Sequence, residues 1–332
     1  MRSTRRCAAV SVQSRRPVAM RQIWPWFKVA APFFGMSPLA TLSQEEGKGE
    51  RLVAQSNLGR GVEATTSSQP SVELAAVAAE LAREHLDRRR FEPFATRHGI
   101  DTLNRAYDVQ DAFVALQTTS RGAARAGYKI GLTSPAMQAM CGIDSPVAGV
   151  VFDDRVHASA ARLDRLEWVH AGIEFELAVR LGRDLSPLGR PFVLADVQAA
   201  VDAVAPAIEI VDDRGCDYAS LDVFSLVADN AWNAGVVLGE FRTRWPDLAA
   251  VEGTVSVYGD GVLDRGRGGD VLGHPLAAVL WLANHLASRG GTLAAGEFVM
   301  TGSIVTTKFP GMAGAYRFEL SGLGAVELTL TA

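Results

Sequence analysis

The chain has 332 residues, 48% of them hydrophobic and 21% charged, with a net charge of −4. That composition excludes a mainly disordered protein, and no apolar run approaches the roughly 18 to 20 residues that span a bilayer. Three widely spaced cysteines, Cys7, Cys141 and Cys216, suit neither a disulfide framework nor a zinc knuckle. They point to a soluble protein of a reducing compartment, expected here to be the cytoplasm.

Charge is uneven along the chain. Residues 1–71 carry 10 Lys+Arg against 4 Asp+Glu, whereas the remaining 261 residues carry 23 against 33. The acidic body excludes phosphate-backbone binding as a main task, and neither a nucleic acid nor a membrane is an expected partner. The first 71 residues lack the apolar periodicity of the rest and are read as a disordered leader or a mis-assigned start. The folded body is read as residues 72–332, with a helical N-terminal part over about 72–120.

Ser71 is expected to cap a helix burying Leu74, Val77, Ala78 and Leu81. A second helix carries Ala106, Val109, Phe113 and Leu116 on one stripe. After Gly122 the texture turns to short β segments, at Gly127–Leu132, Gly149–Phe152, Ile173–Leu181 and Ala207–Val211. A helix from Asp196 is expected to bury Val197, Ala200, Val201 and Val204 and to stop at Pro206. Pro275 opens another helix running to about Leu286, and strands return at Phe298–Thr301, Tyr316–Leu320 and Ala325–Thr331. The order is too irregular for a doubly wound sheet. An α+β fold with a mixed, curled sheet and a small helical N-terminal cap is expected.

In Ile173–Val179, Glu174 and Glu176 project to one face of a strand, with Ile173, Phe175 and Leu177 on the other. The bland alternative is a solvent-facing strand edge. Glu209 lies in the apolar run Ala207–Val211, where an unpaired carboxylate is costly. A hard divalent cation, Mg2+ or Mn2+, would satisfy all three carboxylates. His170 is a rival ligand by proximity, but it precedes the strand and is read as structural or solvent-exposed.

Six motifs then occur in order. Gly127-Tyr128-Lys129-Ile130-Gly131-Leu132-Thr133-Ser134 resembles the G-x-K-I-G-L-T-S signature of the 2-keto-4-pentenoate hydratase / 4-oxalocrotonate decarboxylase family, of the fumarylacetoacetate hydrolase superfamily. Gly149–Asp154, Glu174-Phe175-Glu176, Pro206–Asp212, Asp229–Gly239 and Gly296–Ser303 are similar to further family stretches. The resemblance implies a curled β-roll, a homo-oligomer, and Mg2+ held by Glu174, Glu176 and Glu209. It implies Lys129 as a proton-handling or carboxylate-binding residue with Asp153 or Asp154 as partner or water-orienting base. Leu132, Asn230, Thr301 and Ser303 are the implied substrate-binding residues.

The activity implied is divalent-metal-dependent hydration of a 2-hydroxy-2,4-dienoate, as in aromatic meta-cleavage degradation. Ketonisation and water addition both pass through an enolate that a Lewis acid stabilises. Decarboxylation of a 2-oxo dicarboxylate is the second reading. An acylpyruvase-type C–C hydrolase is third, disfavoured because Thr133–Gly149 holds no His or Glu. A catalytically silent partner subunit is fourth. Three departures from the family pattern bear on substrate length and charge: Gly172 replaces a basic residue, Gly273 an Asn, and Pro135 follows Thr133-Ser134 where a basic residue is common.

Overall fold

The computed structural model describes residues 70–332 apart from positions 259, 260 and 312, so the expectation for the leader lies outside the described residues up to position 69. Helices α1 (Pro70–Leu86) and α2 (Leu103–Arg121) pack on each other through the stripes read from the sequence. Val77, Ala78, Leu81, Ala106, Val109 and Phe113 are buried. Helix α1 begins at Pro70, so Ser71 falls inside its first turn and not before it. Thr102 caps α2, its side chain accepting from the Arg105 N–H at 3.2 Å.

Strands β1 (Arg125–Gly131), β2 (Val147–Phe152) and β3 (Val156–Ala158) follow, with the short helix α3 (Pro135–Met140) between the first two. Strand β4 (Ala161–Asp164) leads to two long neighbours, β5 (Ala171–Leu181) and β6 (Val201–Asp212), separated by helix α4 (Leu194–Ala200). Helix α5 (Val223–Ala228), strands β7 (Asn233–Leu238), β8 (Glu252–Val257) and β9 (Gly261–Arg267), helix α6 (Pro275–Ser288) and strands β10 (Phe298–Ser303), β11 (Gly314–Leu320) and β12 (Gly324–Thr331) complete the order. His274 caps α6, its Nδ1 accepting from the Leu276 N–H.

The strands form a seven-stranded sheet, β2-β1-β10-β5-β6-β7-β3, and a five-stranded sheet, β4-β12-β11-β8-β9. Both are mixed: β1 runs parallel to β10, β3 to β7 and β4 to β12, and the other pairs are antiparallel. The larger sheet is strongly curled. Three strand spacings separate β1 from β6, roughly 14 Å in a flat sheet, yet Lys129 Nζ on β1 lies 3.4 Å from Glu209 on β6. The expected mixed, curled α+β architecture is what the chain adopts.

The helix expected from Asp196 starts at Leu194 and ends at Ala200, and Val201 and Val204 belong to β6. Tertiary pairing overrides the helical period, because Val201 and Val204 are β-branched and pair with Leu181 and Val179 of β5. Pro206 does not stop an element but sits within β6. Its carbonyl accepts from Gly239 N, so its missing N–H lies on the β7 side, past Leu238 where that ladder ends.

The two faces of the roll differ in chemistry. Outward, Ile173, Phe175 and Leu177 join the main core, with Phe175 packed 5.6 Å from Phe318 of the smaller sheet. Each such side chain contributes about 1.5–3 kcal/mol by leaving water. Inward, Val151, Ala178, Ala207, Val236, Phe298 and Met300 form a separate apolar cluster. Strand alternation sends Glu174, Glu176, Glu209 and Lys129 to that same interior.

Candidate active site: three carboxylates inside the roll

Glu174 stands directly across from Glu209 in the β5–β6 ladder, and Glu176 lies one pleat further along β5. One carboxylate oxygen from each lies within 4.8 Å of the others. Glu176 and Glu209 are 0% exposed, so the solvent-facing alternative for this strand fails. Both faces of β5 are covered.

Each carboxylate is oriented by one donor. Thr307 Oγ1 donates to Glu174 at 2.6 Å, the Gly302 N–H donates to Glu176 at 2.8 Å, and Asn233 Nδ2 donates to Glu209 at 2.8 Å. Lys129 Nζ donates to the Ala231 carbonyl at 3.2 Å. Among the described residues, the second oxygens of Glu176 and Glu209 remain buried with no hydrogen-bond partner. Burial pushes the Glu176 carboxyl well above the usual range, and Glu209 and Glu174 add to the rise. Burial lifts Glu209 to about 7 even though Lys129 pulls the other way. Burial works to lower Lys129, but Glu209, Glu174 and Glu176 together outweigh it and the ammonium is held more firmly than usual.

Three carboxylates facing one lysine are under-neutralised, and two unpartnered buried oxygens are costly as they stand. The donor set is all oxygen, which fits a hard divalent cation of the magnesium or manganese kind. Glu174, Glu176 and Glu209 are the residues that could hold it. Thr307, Gly302 and Asn233 would set the ligand orientations from behind.

The other residues singled out from the sequence divide sharply. Leu132 follows β1 with a left-handed φ of 55°, and its carbonyl accepts from Gln138 Nε2. The adjoining Thr133 packs against Gly302, where a Cβ would lie 2.5 Å from the threonine side chain. This close approach, with a φ of 111°, explains glycine at 302. Thr301 spends its hydroxyl on the Leu177 carbonyl, and Ser303 donates to the Val305 carbonyl while accepting from the Phe175 N–H. Asn230 staples the Val150 backbone with both ends of its amide. The hydroxyl protons of Thr301 and Ser303 are both engaged, and Asn230 keeps one amide N–H beyond the one given to Val150.

Asp153 and Asp154 are not brought to Lys129. Asp153 accepts from the Ala124 N–H at 2.9 Å, and Asp154 pairs with Arg121 on the protein surface. They follow the far end of β2, past Phe152, whereas Lys129 pairs with Gly149. The chain turns to the surface immediately after β2, which separates this pair from the roll interior.

Sequence reasoning missed Thr307, Asn233 and the Gly302 N–H. Asn233 stands three positions after Asn230 in the same motif, so proximity carried a signal. Thr307 reaches Glu174 from 133 residues away and carried none.

Among curated proteins, the chain is 35% identical over 260 residues to the 2-keto-4-pentenoate hydratase of Burkholderia vietnamiensis (strain G4 / LMG 22486), covering 78% of this chain and 97% of the relative. It is 34% identical over 227 residues to a 4-oxalocrotonate decarboxylase of Pseudomonas putida, covering 68% and 84%. The chain belongs to the 2-keto-4-pentenoate hydratase / 4-oxalocrotonate decarboxylase family. No protein-family model matches the chain. Among solved structures, the 4-oxalocrotonate decarboxylase of Pseudomonas putida G7, complexed with magnesium and adipate, superposes with a TM-score of 0.72 at 31% identity, covering 78% of this chain and 97% of that one.

Family membership gives the Gly172 departure a local reason. A Cβ there would lie 2.9 Å from the Phe309 ring and 3.0 Å from the Thr307 methyl. Glycine lets the segment that carries Thr307 lie against β5.

Proposed function

We propose that this chain is a divalent-metal-dependent hydratase that adds water to a 2-hydroxy-2,4-dienoate of the 2-oxo-4-pentenoate type. The observation that carries the reading is the pair of unpartnered, fully buried oxygens on Glu176 and Glu209, facing Glu174 inside the roll. Glu174, Glu176 and Glu209 would hold Mg2+, with Mn2+ as the substitute. Bound there, the ion supplies Lewis-acid polarisation of a 2-oxo acid.

The protein's own groups do the rest. Lys129 holds its proton at Nζ, tied to the Ala231 carbonyl and 3.4 Å from Glu209, and presents a fixed positive charge to an anionic substrate. Thr307, Asn233 and the Gly302 N–H keep the carboxylates from swinging to other partners. The apolar lining of Ala178, Ala207, Val236 and Met300 limits bulk water and strengthens every charge interaction inside.

Decarboxylation of a 2-oxo dicarboxylate is the second reading, supported by the superposition on a decarboxylase. The reading includes a homo-oligomer, for which the exposed Tyr258, Val262 and Leu263 on the β8–β9 hairpin are the supporting surface. It also places the protein in the cytoplasm, in keeping with the free thiols of Cys141 and Cys216. Among the described residues no helix is long and apolar enough to cross a membrane.

The test follows the dienol absorbance of 2-hydroxypenta-2,4-dienoate, with Mg2+ and with chelator. Magnesium-dependent loss of the chromophore with formation of 4-hydroxy-2-oxopentanoate is the expected result. No loss in either condition, together with CO2 release from 4-oxalocrotonate, would overturn hydration in favour of decarboxylation.

A further inference from the structure

With Asp153 and Asp154 tied to the surface, the site as described lacks a base for the water that adds to the substrate. Lys129 Nζ is tied to the Ala231 carbonyl and lies 3.4 Å from Glu209, on the carboxylate side of the site. One ring nitrogen on the carboxylate-bearing side of β5 is placed for that role. His170 immediately precedes β5, and its ring stacks on Phe309 at 4.9 Å with the planes 10° apart. Phe309 covers the interior face of Gly172, the position one pleat before Glu174. His170 is therefore folded over the same segment that sends Thr307 to Glu174.

Its orientation is fixed from behind. His170 Nδ1 lies 2.7 Å from Asp213 Oδ1, and the Asp213 side chain is 1% exposed. Asp213 also accepts from the Gly215 N–H at 2.8 Å and from the Tyr218 hydroxyl at 2.9 Å. The aspartate is an acceptor throughout, so Nδ1 carries the ring proton and the lone pair is on Nε2. Nε2 has no partner among the described residues, and the side chain is half exposed. A histidine oriented by a buried aspartate, with its second nitrogen open, is the arrangement general bases use. His170 and Glu174 are four positions apart in extended chain, roughly 13 Å between α-carbons. The ring reaches the Glu174 side of β5 through its stack on Phe309, which lies against Gly172, and the span suits a short acid whose C1 and C2 oxygens would be held at the carboxylates.

We propose that His170, oriented by Asp213 and Phe309, is a further catalytic residue of this site, the base for the adding water and the acid that returns its proton to carbon. The assignment rests on the hydratase reading. In the step, the Nε2 lone pair takes one proton of a water molecule as the water oxygen bonds to C4 of the conjugated 2-oxo-3-enoate. The C3=C4 pair shifts to C2–C3, and the carbonyl π pair moves to the C2 oxygen. When the carbonyl re-forms, C3 takes the proton from Nε2–H. One water has been added across C3=C4, the imidazole is neutral again, and nothing is oxidised or reduced.

The experiment separates two readouts on 2-hydroxypenta-2,4-dienoate with Mg2+ present: loss of the dienol absorbance, and NMR appearance of 4-hydroxy-2-oxopentanoate. His170→Ala is expected to lower hydration by about 100-fold or more, far more than it lowers ketonisation. Mg2+ affinity by calorimetry is expected to stay within about twofold of wild type. Added imidazole restores part of the hydration rate to His170→Ala and none to Glu176→Gln. Asp213→Asn, which keeps the ring in place but not its tautomer, loses hydration by about tenfold or more. Hydration within threefold of wild type in His170→Ala overturns the assignment. So does an equal loss of ketonisation, hydration and Mg2+ affinity, which would mark a structural role. A wild-type protein that binds Mg2+ yet hydrates no dienoate overturns the hydratase reading and this assignment with it.

Discussion

Two acidic pairs lie some twenty residues apart, and the structure treats them oppositely. Asp153 and Asp154 follow β2, sit at the surface and are satisfied by a backbone N–H and by Arg121. Glu174 and Glu176 lie within β5, inside the roll, and one of them keeps an oxygen with no partner. The first pair contributes a turn and a surface ion pair. The second leaves unmet demand for positive charge in a site shielded from water. The difference between them is not carboxylate chemistry but how much of the surrounding protein withholds a counter-charge.

The sharpest way to break this contrast is Glu176→Gln. It removes a ligand that can ionise to meet the cation, so Mg2+ affinity should fall beyond detection by calorimetry and activity by at least about 1,000-fold. The metal-free melting temperature should hold near neutral pH, because burial already keeps the Glu176 carboxyl protonated and the amide replaces one neutral group by another. Retained activity at limiting Mg2+ would remove the metal assignment.

A smaller effect is expected at the orienting donor. Thr307→Val keeps the shape and loses the hydroxyl that holds Glu174. Outer ligand partners of this kind are worth about 10- to 100-fold in metal affinity, measured as the Mg2+ dissociation constant.

Protonation provides a third test. The Glu176 carboxyl is held well above its ordinary value, and that of Glu209 is lifted to about 7 from an unfolded-state value near 4.5. The native metal-free protein therefore keeps protons that the unfolded chain releases. Its stability from these groups is full below about pH 4.5 and is lost as the pH rises through about 7. Mg2+ needs the deprotonated carboxylates, so the melting-temperature gain on adding it should grow across the same window. A gain that shrinks with rising pH would contradict the arrangement.

The weakest effect is expected from Asp154→Asn. An exposed ion pair is worth about 0–1 kcal/mol, so melting temperature and Mg2+ affinity should barely move. A large loss of hydration in this variant would return Asp154 to the chemistry and undo the contrast.

Much of this was legible in the chain, for a physical reason. The alternation of Ile173 through Leu177 and the apolar run around Glu209 are local patterns, and strand geometry converts them directly into faces. What covers a face is not local. Nothing near Glu174 announces Thr307, because the donor arrives on the segment after β10. Likewise, Val201 and Val204 fit a helical stripe as well as a strand, and only the long β5 ladder decides between them. Thr301, Ser303 and Asn230 show how a motif residue can also serve the fold. Their hydroxyls and part of the Asn230 amide fasten β5, β10 and β2 around the interior.

The carbonyl that receives Lys129 belongs to an unusual stretch. Asn230, Ala231 and Trp232 are consecutive and all left-handed, with φ of 53°, 47° and 58°. Residues with a Cβ resist this geometry by roughly 1–2 kcal/mol each, so the turn resembles a compressed spring kept shut by the buried neighbours around it. Replacing Ala231 with glycine would release part of that load and is expected to make the protein harder to melt. The same release would let the carbonyl drift from the ammonium it now fixes, so the more robust protein is expected to be the slower catalyst. At this turn, durability and turnover are set against each other in the backbone of three residues, none of which touches a carboxylate through its own side chain.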